Sequence, residues 1–173
     1  MTGVKQYNKT KYRRLIAFLP VLCIMILIFV FSSKDGTESA GTSFPITTVI
    51  LQLTEKIIGS NMSNKAEYVD LIHTLIRKVA HITEYAILGF SICFFLNTFP
   101  LKRNYFFVIA MSSGISYAIT DEIHQIFVPG RSGSFVDVMI DSLGCLIGTL
   151  FFLLIRKQMR RKRSKEKQIS QIN

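Results

Sequence analysis

Residues 121–148 read DEIHQIFVPGRSGSFVDVMIDSLGCLIG. Two apolar runs, 105–127 and 136–155, meet in this stretch. Each has the ~20 residues of helix that cross the ~30 Å hydrocarbon core of a bilayer. Between them, VPGRSGS sets Pro129 beside Gly130 and adds Gly133; such residues supply the fixed and left-handed backbone angles of a tight turn. The segment is therefore predicted to be a helical hairpin in a membrane.

Working outward, a third apolar run covers 79–99 and stops at Pro100, and Lys102 and Arg103 make a short basic turn before the hairpin. Asn64 followed by Glu67 resembles a capping box, so a helix is expected to start there and continue into that run. A fourth run, 15–31, contains Pro20. It is longer than the usual apolar region of a signal peptide and no A-x-A site follows it, so it is read as an uncleaved first span. Within 32–63, Ile46, Val49, Ile50, Leu53 and Ile57 recur at helical spacing. That stretch is too short and polar to span and is expected to lie along the membrane surface. The predicted fold is an all-α polytopic membrane protein with four transmembrane helices plus an interfacial amphipathic helix in the first outer loop. A basic N-terminus, 1–14, and a basic tail, 156–173, flank a membrane domain over 15–155.

Composition agrees. Of 173 residues 49% are hydrophobic and 18% charged, and mean hydropathy is +0.35. A soluble domain carries about a quarter charged residues. The net charge of +10 is concentrated at the ends, with five Lys/Arg in 1–14 and eight in 156–173. Beside apolar runs, such charge suits anionic lipid headgroups rather than nucleic acid. With both termini cytoplasmic, fifteen Lys/Arg lie inside and six outside, the orientation favoured by the positive-inside rule. The chain is thus expected to be a multi-pass cell-membrane protein whose 32–78 and 128–135 loops face out. Cys23, Cys93 and Cys145 each lie in an apolar run without metal-ligand spacing; they are expected to be small buried hydrophobes.

Ionisable groups inside spans are costly, and their default reading is functional. Glu84, Asp121 and Asp141 each lie five or six residues from the outer end of their span, about 8–9 Å deep at ~1.5 Å per residue. His81, His124, Gln125 and Asp137 lie just above, and Arg77, Lys78 and Arg131 rim the layer. Taken singly, several have plain structural roles. Asp137 can complete a capping box with Ser134, His81 and Glu84 can simply share a hydrogen bond, and Glu122 falls to one side of its helix. The shared depth of three carboxylates is what points to a site, a water-accessible pocket in the outer leaflet. Candidate catalytic residues are His81, Glu84, Asp121, Glu122, His124, Asp137 and Asp141, and candidate substrate-binding residues are Lys78, Gln125 and Arg131. The excess of carboxylates can be met by protonation, by histidine, by a divalent metal or by a cationic ligand. The spacing leaves these open, as it leaves open the oligomeric state and whether the chain is an enzyme.

RKVAHITEYAILG at 77–89, the 121–148 stretch and FSSKDGTESAGTS at 31–43 together resemble the VanZ-like family of bacterial membrane proteins over roughly 30–150. Lys78, His81, Glu122, Gln125, Arg131 and Asp137 stand at that family's motif positions, while Lys34 and Asp141 stand where glutamine and asparagine are common. The resemblance implies an envelope protein, its founding member being associated with low-level teicoplanin resistance, that binds or acts on a lipid-linked envelope precursor or alters glycopeptide access. A fainter resemblance of 130–148 to type 2 phosphatidic acid phosphatases implies a membrane-embedded lipid phosphatase, with Lys78 and Arg131 on phosphate and His81 or His124 attacking; the PSGH segment of those enzymes is missing here. A small transporter and a scaffold remain as further readings.

Overall fold

The computed structural model describes residues 2–34 and 65–170. These form four helices: α1 Thr2–Ser32, α2 Lys65–Leu96, α3 Arg103–Ile126 and α4 Phe135–Ser170. The surface helix expected over 46–57 lies outside the described residues, as does the Asn64 cap. α2 does run as one helix through the polar residues at its start into the apolar run. It ends at Leu96, three residues before the expected stop. The chain then turns through Thr98, whose amide and hydroxyl both reach the Phe95 carbonyl, before Pro100. α1 and α4 extend from the apolar runs through the basic stretches 2–14 and 156–170.

Among the described residues, three helices are long and apolar enough to cross a membrane, over Thr10–Ser32, Thr74–Leu96 and Phe135–Glu166. α3, with 24 residues, is comparable in length. It is not among them because Ser112, Ser113, Ser116, Asp121 and Glu122 dilute its apolar run.

The directions of the helices follow from their contacts. Gly144 of α4 lies against Ile82 of α2, and Gly148 lies against Ala86, four residues on in both helices; α2 and α4 therefore run parallel. α1 and α3 also run parallel, since Met25 meets Tyr117 and Ser32 meets Asp121. Phe18 packs on Phe95, so α1 opposes α2. The most extensive interface is α2 on α4. A Cβ at Gly144 would sit 2.6 Å from the Ile82 carbonyl, and one at Gly148 would collide with the Ala86 carbonyl. The G-x-x-x-G stripe thus brings two helices of the same chain together.

The two ends of the bundle differ. At one end, Phe95 and Phe99, Phe90 and Phe152, and Phe106 and Phe152 pack ring on ring. Arg14 lies over the Phe99 ring and Arg156 over Phe106, which marks a boundary where long cations reach out of an apolar core. From Arg14 to Ser32 is about 27 Å of helix at ~1.5 Å per residue, close to a bilayer core. The far end holds the polar residues. Cys93 and Cys145 are fully buried between the helices, as expected, but Cys23 is exposed on the outer face of α1. The apolar run 15–31 is hydrophobic all round, and Leu19, Leu22, Ile26 and Val30 on it are exposed, as suits a helix in a bilayer.

Candidate functional site

The polar end is built where the C-termini of α1 and α3 meet the N-terminal halves of α2 and α4. Asp121 is buried on α3. The Ser32 hydroxyl donates to Asp121 Oδ2 at 2.8 Å, and Gln125 Nε2, one turn on, donates to the same oxygen at 3.1 Å. Asp121 Oδ1 is buried without a hydrogen-bond partner. Across from it, Asp141 on α4 is 0% exposed. Its Oδ1 lies 3.3 Å from His81 Nδ1 on α2, within ion-pair distance, but the two are not aligned for a hydrogen bond, and neither Asp141 oxygen has a hydrogen-bond partner. One ligand-type atom from each of His81, Asp121 and Asp141 falls within 4.8 Å of the others. Three helices thus converge on one point, and a mixed imidazole and carboxylate set of this kind can hold a divalent ion. Glu84 lies within electrostatic range of His81, Asp121, Asp141 and Arg131.

Above this point a cleft of about 570 Å³ opens, with Arg77, Lys78, Arg131 and Asp137 on its walls and His81, Gln125 and Asp141 toward its base. Ser132 and Ser134 line it from the turn. Gly130 takes φ 72° there, the left-handed angle that the Pro-Gly pair foretells. Lys78 Nζ stands 3.9 Å from Asp137 Oδ1, both partly exposed. Arg131 Nη2 donates to the Phe31 carbonyl at 3.4 Å, closing one end of α1. Burial and then the neighbouring Arg77 push the Arg131 guanidinium below its ordinary pKa, while Asp121, Glu122 and Glu84 partly offset them. An arginine stays charged through such a shift, so the cleft keeps its cation.

Two candidates sit elsewhere. Glu122, which the helical wheel sets to one side, is 5% exposed. Its Oε2 accepts the Ser134 amide at 2.7 Å, so it anchors the turn at the start of α4 rather than lining the cleft. His124 faces α1: its ring stacks on Phe29 at 4.5 Å and Nε2 lies 3.1 Å from the Ser33 hydroxyl. It is not grouped with His81. Sequence reasoning missed Ser32, whose only signal was its position, where an apolar run ends at the depth of Asp121. The Tyr85 hydroxyl, on the same helix as His81 and Glu84, is buried without a hydrogen-bond partner.

A family model described as VanZ/LLP1 matches residues 17–156. The chain belongs to the VanZ/LLP1 family. The matched region of this VanZ/LLP1 chain takes in the packed parts of all four helices, the cleft and the cluster beneath it, and leaves outside the basic stretches 1–14 and 157–173. No curated protein and no solved structure matches the chain.

Proposed function

We propose that this VanZ/LLP1 protein is a four-span protein of the bacterial cell membrane, with both termini cytoplasmic, whose outward-facing cleft binds the phosphate-bearing headgroup of a lipid-linked envelope component. The observation that carries this reading is the placing of Arg77, Lys78 and Arg131 around one cleft with Ser132 and Ser134. Guanidinium and ammonium groups beside hydroxyls form a set of donors with the sign and geometry for phosphate oxygens. Arg131 is partly buried beside another arginine, a cost that an anion relieves. α3, parallel to α1 and packed on α2 and α4, is the fourth span in this reading. Inward of the cluster the bundle is filled by Tyr85, Leu88, Cys93 and Phe106, which favours binding over passage. Holding such a headgroup would change what a teicoplanin-type glycopeptide meets at the surface.

A second reading has the cleft hydrolyse the bound phosphate ester. It is favoured by His81 and Asp141 at the cleft base, an imidazole and carboxylate of the kind used for proton transfer or attack. The test is binding of a polyprenyl diphosphate to the detergent-purified protein, with inorganic phosphate release followed in parallel. Saturable binding, weakened at least about tenfold in Lys78→Ala and Arg131→Ala, is expected from loss of one charged contact worth ~1.5–3 kcal/mol. Binding that is equal in both variants would overturn the reading. Phosphate release abolished by His81→Ala would establish the second one.

A further inference from the structure

We infer that His81, Asp121 and Asp141 form a site for one divalent transition-metal ion, of the zinc or manganese class, at the base of the cleft. The three side chains come from α2, α3 and α4, and each offers a ligand atom within 4.8 Å of the other two. Three observations besides proximity point to a ligand.

Asp141 is fully buried, and both of its carboxylate oxygens lack a hydrogen-bond partner. A buried carboxylate left in that state is strongly disfavoured, and its ordinary remedies are a paired cation, a proton or a metal. Asp121 Oδ1 and His81 Nδ1 are buried without hydrogen-bond partners as well, so each of the three converging residues carries an unmet group. Finally, His81 Nδ1 and Asp141 Oδ1 are 3.3 Å apart without being aligned on each other. Two ligands that share a metal at ~2.0–2.2 Å each are separated by about 3–3.5 Å and point at a common centre rather than at one another.

The surroundings fit a held site. Asp121 is oriented through its other oxygen by Ser32 and Gln125, the kind of outer contact that fixes a ligating carboxylate. Gly144, next to Asp141 along one face of α4, brings the backbones of α2 and α4 into contact and so fixes the spacing of His81 and Asp141. Two carboxylates and a neutral imidazole carry a formal charge that one divalent ion cancels. An imidazole among the ligands favours zinc or manganese over calcium and magnesium, which prefer oxygen alone. The open side of the ion faces the cleft, because His81 and Asp141 both line it. If the headgroup reading above holds, a phosphate oxygen would complete the coordination there. The competing state is a protonated His81 paired to Asp141 with no metal.

The full chain, purified in detergent and stripped with a chelator, is dialysed against Zn²⁺, Mn²⁺ or Mg²⁺ and its bound metal measured. One ion per chain is expected with Zn²⁺ or Mn²⁺, together with raised thermal stability. His81→Ala and Asp141→Asn are expected to lower affinity more than about 100-fold, beyond the 10–100-fold typical of losing an outer-shell partner. His124→Ala, a histidine at similar depth turned toward α1, is expected to keep the ion. Should the variants fail to fold, Co²⁺ added to wild type reports the ligand set by its visible spectrum, with an imidazole and carboxylate environment expected. A wild type that holds no ion and is no more stable with any of them overturns the proposal, as does binding unchanged in both site variants. A wild type that holds the metal yet ignores polyprenyl diphosphate sinks the headgroup reading alone.

Discussion

Ser32 donates to an oxygen of Asp121 that Gln125 also holds. Ser32→Ala therefore leaves that oxygen one partner, and its expected cost is about 1.5–3 kcal/mol, the worth of a hydrogen bond to a charged group. Glu122 presents a different case. Its carboxylate is the acceptor for the Ser134 amide at the start of α4, so Glu122→Ala is expected to cost about 2 kcal/mol as a charged hydrogen bond. Glu122→Gln, which keeps an acceptor, is expected to recover part of it. Thermal unfolding in detergent checks both, and equal destabilisation by Ala and Gln would show that the amide contact is not what Glu122 contributes. Which ionisable residues lie deep was legible in the chain, because a carboxylate stands out in an apolar run. Which of them face one another was not. Helical periodicity places Asp121, His124 and Gln125 on one side of α3, but that side is wide enough for Asp121 to meet α4 while His124 turns to α1. The rotation of a helix against its neighbours is set by packing, and packing is not written along a single helix.

Glycine governs how close the helices come. At Gly148 an added Cβ meets the Ala86 carbonyl, a backbone atom that cannot yield without moving α2. Gly148→Ala is expected to cost about 1–3 kcal/mol or more through overpacking. At Gly114 the obstacle is the Cys145 sulfur, which a second substitution removes. Gly114→Ala is accordingly expected to destabilise the bundle and Cys145→Ala to restore much of the loss in the double variant, whereas Cys145→Ala is expected to give Gly148→Ala no relief. A double-mutant cycle on unfolding midpoints measures this difference, and additive effects at Gly114 would contradict the contact. At this scale the hairpin and the unbroken course of α2 were readable, from a Pro-Gly turn between apolar runs and from polar residues that kept a helical spacing. The role of the G-x-x-x-G stripe was not, because a small-residue face fits a neighbour in the same chain as well as one in another.

The molecule as a whole separates its chemistry by height, with phenylalanines and two arginine–ring contacts at one end and the ionisable cluster at the other. The proposed orientation puts the cluster outside. In a cysteine-free background, Ser132→Cys is expected to react with a membrane-impermeant thiol reagent in intact cells, and Ser164→Cys only after the membrane is opened. The reverse pattern would place the cleft in the cytoplasm and remove an extracellular headgroup as its ligand. Charge distribution along the chain was enough to propose this orientation, since the residues that decide it are few and lie at the ends. What it did not foretell is that α4 continues without a break to Ser170. About 20 residues of that 36-residue helix cross the hydrocarbon. Lys165 then stands about 15 Å beyond the hydrocarbon edge at ~1.5 Å per residue, past most of the headgroup layer. Membrane surface potential fades within a Debye length of ~8 Å in physiological salt. In the proposed orientation an upright helix is thus a graded stalk: its arginines at 156, 160 and 161 lie at the height of the lipid surface, while the charge at its tip is held off the membrane on the cytoplasmic side.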